Sequence, residues 1–520
     1  MKDEIFAEVF PFEEPRSGQR QIIEAILHAF DLGKKHVVLQ APTGVGKSVI
    51  GKTIANYYNK SYILTSQKSL QSQYVNELEL TPIYGRSNYK CNFDPSKNCA
   101  ECVNTKKCPV PCAYIIARTE GYTTASHTVL NYAYFYNMIG KLTGKGEELQ
   151  KPRDLLIFDE CHNVENETIN FSTLLLSISE LSFHNIYDSR SFPQLAGEDI
   201  DKLHWLFNSF LPTLQEKERE ISLQLESMDE EDSGYMSILL NLQFVQNTIE
   251  KISLIKSEID INPLHIVVLQ NKYSITFKPL FGKHLLQRVL NPYKRVLHMS
   301  ATTSSKSQYC KNLGLSPDEV EFIKCGSPFP ISNRPIYYVP VGSMKYSEKK
   351  HTLPKIAKTI NKLLNKYPKV GGIIHTANYE TATYLSKHIS TDRLVTPKGK
   401  SRETTLNSFY SDNLNGDNKV LLSPSLMEGV DLKYDIGRFG VVCKLPFPNL
   451  ADPWVKRRMK LDPTWYTEKT VLNLIQSTGR IVRASDDKGH NFILDTTFGW
   501  FYKTNQHLFP SWWKNSLIQK

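Results

Sequence analysis

The stretch HVVLQAPTGVGKSVIGKTIANYY, residues 36–58, decides how the chain is read. A short apolar run enters Ala41-Pro-Thr-Gly-Val-Gly46-Lys47-Ser48, and a helix-forming run leaves it. Glycines at 44 and 46 let backbone N–H groups curl around a phosphate, while the new helix turns its N-terminus toward that anion. Thr43, Gly44 and Gly46 then line the loop, Lys47 supplies a point charge for β- and γ-phosphates, and Ser48 offers a hydroxyl to Mg²⁺. Ala41 stands where the strict pattern has glycine. The strand–loop–helix order separates this stretch from a chance Gly-Lys-Ser turn.

Working outward, QIIEAILHAF places Ile22, Ile23, Ile26, Leu27 and Phe30 on one helical face, with Gly33 as its stop. Short Val- and Ile-rich runs recur at YILTS, LLIFDE, RVLHMSAT, GGIIHTA, KVLLSP, FGVVCKLPF and NFILDT. Buried parallel strands alternating with helices have this pattern. Two sets occur, before and after about residue 330, which predicts an α/β chain with two similar domains. Its 520 residues exceed one compact core. The start, MKDEIFAEVFPFEEP, has no signal-peptide pattern, and no apolar run reaches membrane-spanning length, so a reducing, cytoplasmic setting is expected. A net charge of +10 permits a nucleic-acid partner without demanding one.

RDLLIFDECHNVEN drives a strand into Asp159-Glu160-Cys161-His162. At a strand's C-terminal end, Asp159 would hold Mg²⁺ and Glu160 would orient the attacking water. HMSAT (298–302) brings two hydroxyl residues that could couple this site to another surface. SPSLMEGVDL carries Glu428, Gly429 and Asp431; QSTGRIVRASDDKG carries Gln476, Arg480 and Arg483, an arginine pair expected to share a helical face. Such arginines can stabilise charge on a γ-phosphate from across a cleft.

Five of the nine cysteines crowd into residues 87–114: Cys91, Cys99, Cys102, Cys108 and Cys112. An odd count in a reducing compartment argues against disulfides. Zinc and a cubane iron–sulfur cluster both take four thiolates. A segment with almost no aliphatic side chains cannot bury a core, and metal–thiolate bonds would supply the missing folding free energy.

In order along the chain, RSGQRQ, the phosphate loop, ILTSQKSLQSQY, YGRSNYKC, ASHTVLNYAYF, DECH, MSATT, GSPF, GGIIHTANYE, SPSLMEGVDL and QSTGRIVR resemble the motifs of the XPD/DinG iron–sulfur helicases of superfamily 2. The resemblance departs at Cys161, where the family usually has Ala, and in a chain shorter than typical members. It implies ATP and Mg²⁺ as cofactors, adenine contact at Gln19, and nucleotide contact at Gly429 and Asp431. It further implies a 4Fe–4S cluster on four of the five cysteines, with Cys91 and Cys112 the firmest ligands and zinc the runner-up. The family translocates 5′-to-3′ on single-stranded DNA, so single-stranded and forked DNA are the implied partners of a monomer in a bacterial or viral setting (nuclear if eukaryotic), with DNA repair one of its uses. The implied domains are motor 1 at 1–84, 116–165 and 263–330, a cluster domain at 85–115, a helical arch-like insertion at 166–262, and motor 2 at 331–520. Candidate DNA-track residues are Lys398, Lys400, Arg402, Lys456, Arg457 and Arg458, with Trp454, Trp465 or Tyr466 stacking on bases. None is singled out.

Overall fold

The computed structural model describes residues 1–92, 94–101, 112–140, 152–187, 192–229, 232, 234–396, 402–424 and 431–519. Among the described residues ten strands precede residue 330: β1 (His36–Gln40), β2 (Ser61–Thr65), β3 (Thr81–Ile83), β4 (His127–Asn131), β5 (Leu155–Asp159), β6 (Leu174–Ser177), β7 (Ile266–Gln270), β8 (Ser274–Pro279), β9 (Val296–Ser300) and β10 (Val320–Lys324). Seven form one parallel sheet in the order β10-β1-β9-β5-β2-β4-β3. Every residue of β1, β2, β5 and β9 is buried, because helices cover both faces of the sheet. This explains why the sequence shows those strands as continuous apolar runs.

The described residues of the second lobe hold seven more strands: β11 (Ile336–Gly342), β12 (Gly372–His375), β13 (Leu394–Val395), β14 (Val420–Ser423), β15 (Phe439–Val442), β16 (His490–Asp495) and β17 (Leu517–Gln519). Their order is β13-β14-β12-β15-β16-β11-β17, again parallel throughout. The two lobes are RecA-like α/β domains. The C-terminal aromatic run closes the second core, where Trp513 is 1% exposed and its indole N–H donates to Thr478 Oγ1 at 2.8 Å.

The helix Gln19–Asp31 buries Ile23, Ile26, Leu27 and Phe30, and Ile22 is half-buried at its flank. It ends where Gly33 takes φ +82° and Lys34 N–H reaches back to Ala29 O.

Between the two parts of the first sheet the structure divides the chain differently from expectation. Helices 211–226 and 235–259 do dominate the insertion. Yet β6 pairs antiparallel with β8, and β8 with β7, so residues 266–279 share the insertion's core through Ile266, Val268, Ile275 and Phe277 instead of joining the motor sheet. The strand β6 alternates buried and exposed over only four residues. A period-two signal that short disappears inside long helical periodicity.

Candidate nucleotide site between two lobes

Sheet order assembles the site. Because β9 lies between β1 and β5, the ends of those strands bring the phosphate loop, Ser300 and Asp159 side by side. Gly44 and Gly46 adopt φ +92° and +84°, conformations that cost an L-residue strain. A Cβ at Gly44 would strike the Phe329 ring, and one at Gly46 would strike the Gln19 amide. Lys47 opens the helix Lys47–Tyr57, and its ammonium lies 3.3 Å from Ala41 O, curled over the loop.

Asp159 is buried, and its Oδ2 accepts from Tyr74 Oη at 2.9 Å. Burial, with the Glu160 charge next to it, raises its carboxyl to about 6, against the pull of Lys47. Glu160 takes φ +52°, a left-handed turn that aims its side chain back at the site. Burial works against its charge too, but the hydrogen bond from His162 and the charges of Lys47 and Arg480 prevail, holding the carboxyl below its usual range. Ser300 Oγ bridges the group, lying 2.7 Å from His162 Nδ1 and 3.3 Å from Glu160 Oε2. The acidic strand end and the Met-Ser-Ala-Thr strand end are therefore one hydrogen-bonded unit. Cys161 points away from it, buried in the core beside Tyr309, and burial pushes its thiol far up.

Gln19 is 2% exposed, and both ends of its amide are engaged within the protein. Its Oε1 accepts from Arg16 N at 2.7 Å and its Nε2 donates to Val45 O at 2.9 Å, so it braces the phosphate loop.

The second lobe reaches into the same place. Arg483 Nη1 donates to Thr43 Oγ1 at 3.1 Å across the cleft, and its Nε lies 2.8 Å from Asp431 Oδ1. Arg480 is close enough to act electrostatically on both Glu160 and buried His375. The expected shared helical face is not what positions this pair. The helix Pro463–Thr478 stops at Gly479, and both arginines follow on irregular backbone. Gln476 sits half-buried on the last turn of that helix. Gly429 and Glu428 lie outside the described residues.

Sequence reasoning missed Tyr74, whose only signal was a polar-ended aromatic at a core position of the helix Lys68–Leu78. It also missed His375, at the end of β12, whose imidazole burial and the Arg480 charge hold neutral, at about 3.

In the cysteine segment, Cys99 Sγ and Cys112 Sγ are 3.4 Å apart, and Cys91 Sγ accepts from Asp94 N–H at 3.4 Å. Cys91 and Cys99 are buried, and a Lys90–Asn98 bridge closes the turn between them. Cys102 and Cys108 lie outside the described residues. Among the described residues no three His, Cys, Asp or Glu side chains converge on a metal position. Cys99 and Cys112 do set two sulfurs side by side, the soft donor type that a thiolate-bound metal takes.

The candidate DNA track largely turns inward. Trp454 and Trp465 are each 6% exposed and pack in the same small core as Ile169, Val267 and Leu280 of the first lobe and insertion. Arg458 is fully buried, bonding Glu165 at 2.7 Å, Asn312 at 3.0 Å and Leu280 O, with its guanidinium over Phe281 and Trp465. Arg457 holds Asp199 at 2.6 Å, and Tyr466 stacks on Phe447. Arg458 and the two tryptophans fasten the second lobe to the first lobe and the insertion, Arg457 adds a tie to the insertion, and Tyr466 stacks within its own lobe; Lys456 remains exposed. Lys398 and Lys400 are outside the described residues.

Comparison with known proteins agrees with this architecture. Residues 362–516 match the family model described as helicase C-terminal domain, and 12–189 match that of the type III restriction enzyme res subunit. ATP-dependent DNA helicase CHL1 of Saccharomyces cerevisiae (strain YJM789) is 23% identical over 269 residues, covering 44% of this chain and 31% of that protein. This chain thus spans about a third of that relative's length. An XPD helicase structure superposes with TM-score 0.63 at 15% identity, over 98% of this chain and all of the other. An Xpd structure from S. tokodaii gives TM-score 0.60 at 16% identity, over 97% of this chain and all of the other. One family model thus falls on each lobe, the XPD structures share the two-lobed fold of this chain, and the residues singled out from the sequence meet at the cleft between the lobes.

Proposed function

We propose that the chain is an ATP-dependent DNA helicase that moves 5′-to-3′ on single-stranded DNA. The contact of Arg483 with Thr43 across the cleft carries the reading, since it ties a second-lobe cation to the phosphate loop of the first. Lys47 and the loop N–H groups hold the β- and γ-phosphates of MgATP, with Ser48 and Asp159 on the cation side. Glu160, steadied by Ser300 and His162, orients the attacking water. Arg480 and Arg483 stabilise charge on the transferred phosphoryl group. Once that group leaves, the anion joining the lobes is gone and the cleft relaxes. Alternate closing and opening then advances a strand bound across both lobes.

Four of the five thiols (Cys91, Cys99, Cys102, Cys108 and Cys112) would hold a 4Fe–4S cluster, which when bound supplies the cross-links this core-poor segment lacks. Residues 85–115 would then stand as a stiff knob against the duplex. A second reading, zinc, is favoured by one observation: the 3.4 Å sulfur separation lies near the ~3.8 Å edge of a tetrahedron with 2.3 Å Zn–S bonds. Iron content and visible absorption of anaerobically purified protein decide between them.

Strand displacement on forked DNA and forked RNA, each with either overhang, tests the main reading. Unwinding of DNA from a 5′ overhang, lost in Glu160→Gln, is expected. ATP turnover indifferent to single strands would remove the motor.

A further inference from the structure

We propose that the outer face of the second lobe carries a docking ridge for the phosphodiester backbone of duplex nucleic acid, separate from the ATP cleft. Residues 349–369, KKHTLPKIAKTINKLLNKYPK, hold seven lysines and no acid, against a net charge of +10 for all 520 residues. The basic excess is thus concentrated on one element. The helix Lys349–Lys366 turns Leu353, Ile356, Ala357, Ile360 and Leu364 inward. Its opposite face presents Lys355, Lys358, Lys362 and Lys366, spaced by three, four and four, and Lys369 follows directly; all five are exposed.

Lys349 is not part of the stripe: it is buried and paired with Glu380 at 2.7 Å. Like charges at these spacings each cost a helix about 0.2–0.5 kcal/mol, and no acid within the stretch offsets them. A surface built this way is complementary to a polyanion. From Lys355 to Lys366 the stripe runs about 16 Å, at ~1.5 Å per residue. That length of duplex axis carries about five phosphates per strand, enough to meet four ammonium groups.

Its surroundings favour backbone contact over base contact. An open groove of about 430 Å³ runs alongside, bordered by Asn361 and Asn365. The rings beside it, Tyr384 and His388, stack on each other at 4.0 Å and 10° and so do not present a free stacking platform. The ridge also leads away from the motor. The cleft lies at the C-terminal ends of the strands, where His375 meets Arg480. Tyr367, just past the helix, stacks on Phe439 at 5.0 Å and bonds His490 at 2.7 Å, the first residues of β15 and β16. The last lysines therefore sit at the opposite edge, placed to hold duplex outside the cleft.

The test is anisotropy of a labelled blunt duplex, without nucleotide, between 50 and 300 mM salt, on the whole chain and on Lys358→Gln/Lys362→Gln/Lys366→Gln/Lys369→Gln. If about three contacts are lost, the slope of log affinity against log salt flattens by roughly 2.7, and affinity at 0.1 M falls on the order of 10²-fold. Single-strand-stimulated ATP turnover and thermal midpoint stay at the parent values. An unchanged slope overturns the proposal. So does polyglutamate binding that the four substitutions abolish while duplex binding persists, which would make the ridge a protein-docking surface. Lys47→Ala keeps the ridge and stops turnover, so failure of the motor reading is distinguishable from failure of this one.

Discussion

Arg458→Ala tests how the lobes are held together. The guanidinium is fully buried and makes hydrogen bonds to Glu165, Asn312 and Leu280 O, with Phe281 at 4.2 Å and Trp465 at 5.2 Å from its centre. A charge-assisted hydrogen bond contributes about 1.5–3 kcal/mol and a desolvated cation–ring contact up to about 2. Removing one member of a buried ion pair costs about 3–5 kcal/mol, because the other charge is left unpaired. The orphan here is Glu165. Burial raises its carboxyl above the usual range, and Arg458 is the first opposing influence. Without Arg458 that rise is larger. A folded-state pKa raised above the unfolded one favours the fold at low pH and loses that advantage as pH climbs through it. The deficit of the variant should therefore be largest at pH 8 and shrink toward pH 5. Urea unfolding followed by tryptophan fluorescence reads this directly, since Trp454 and Trp465 flank the site. Arg458→Ala/Glu165→Gln should recover more than half of the loss at pH 8. A loss under 1 kcal/mol, or one that does not vary with pH, would refute the account of Arg458 as an inter-lobe latch.

Three further outcomes are expected. Arg483→Ala should lower the ATP turnover number about 10²–10³-fold with little change in KM, as measured by steady-state kinetics, because its bond to Thr43 ties it to the loop that, in the proposed function, holds the transferred group. Tyr74→Phe removes the hydroxyl that orients Asp159, so the Mg²⁺ concentration for half-maximal fluorescent-nucleotide binding should rise about tenfold; an unchanged titration would show the phenol to be mere packing. Cys112→Ser should leave ATP turnover in place while abolishing both visible absorption and strand displacement, and retained unwinding without bound metal would contradict a structural role for the thiolates.

Some of this was legible residue by residue. The parallel strands announced themselves because burial on both faces demands unbroken Val- and Ile-rich runs, as in β1, β5 and β9. The phosphate loop was equally plain, since backbone curvature there needs Gly44 and Gly46 within one short turn. Lys47 does lie close enough to Asp159 and Glu160 to act on both, and Arg483 reaches Thr43 of the neighbouring loop. The stacked and charged residues at 454–466 were not legible in the same way: an exposed DNA track and a buried joint use the same Trp and Arg letters. Their partners, Glu165, Pro279 and Leu280, lie more than 170 residues earlier.

Spacing along the chain, then, determined the elements, the tight glycine loop after β1 and the acidic strand end, because each depends on neighbours within about ten residues. The tertiary structure alone decided that Gln19 braces the loop, that Tyr74 holds Asp159, that residues 266–279 complete the insertion, and that Arg458 locks the lobes. Each of those depends on which distant surface a side chain meets, and a local pattern holds no information about that meeting.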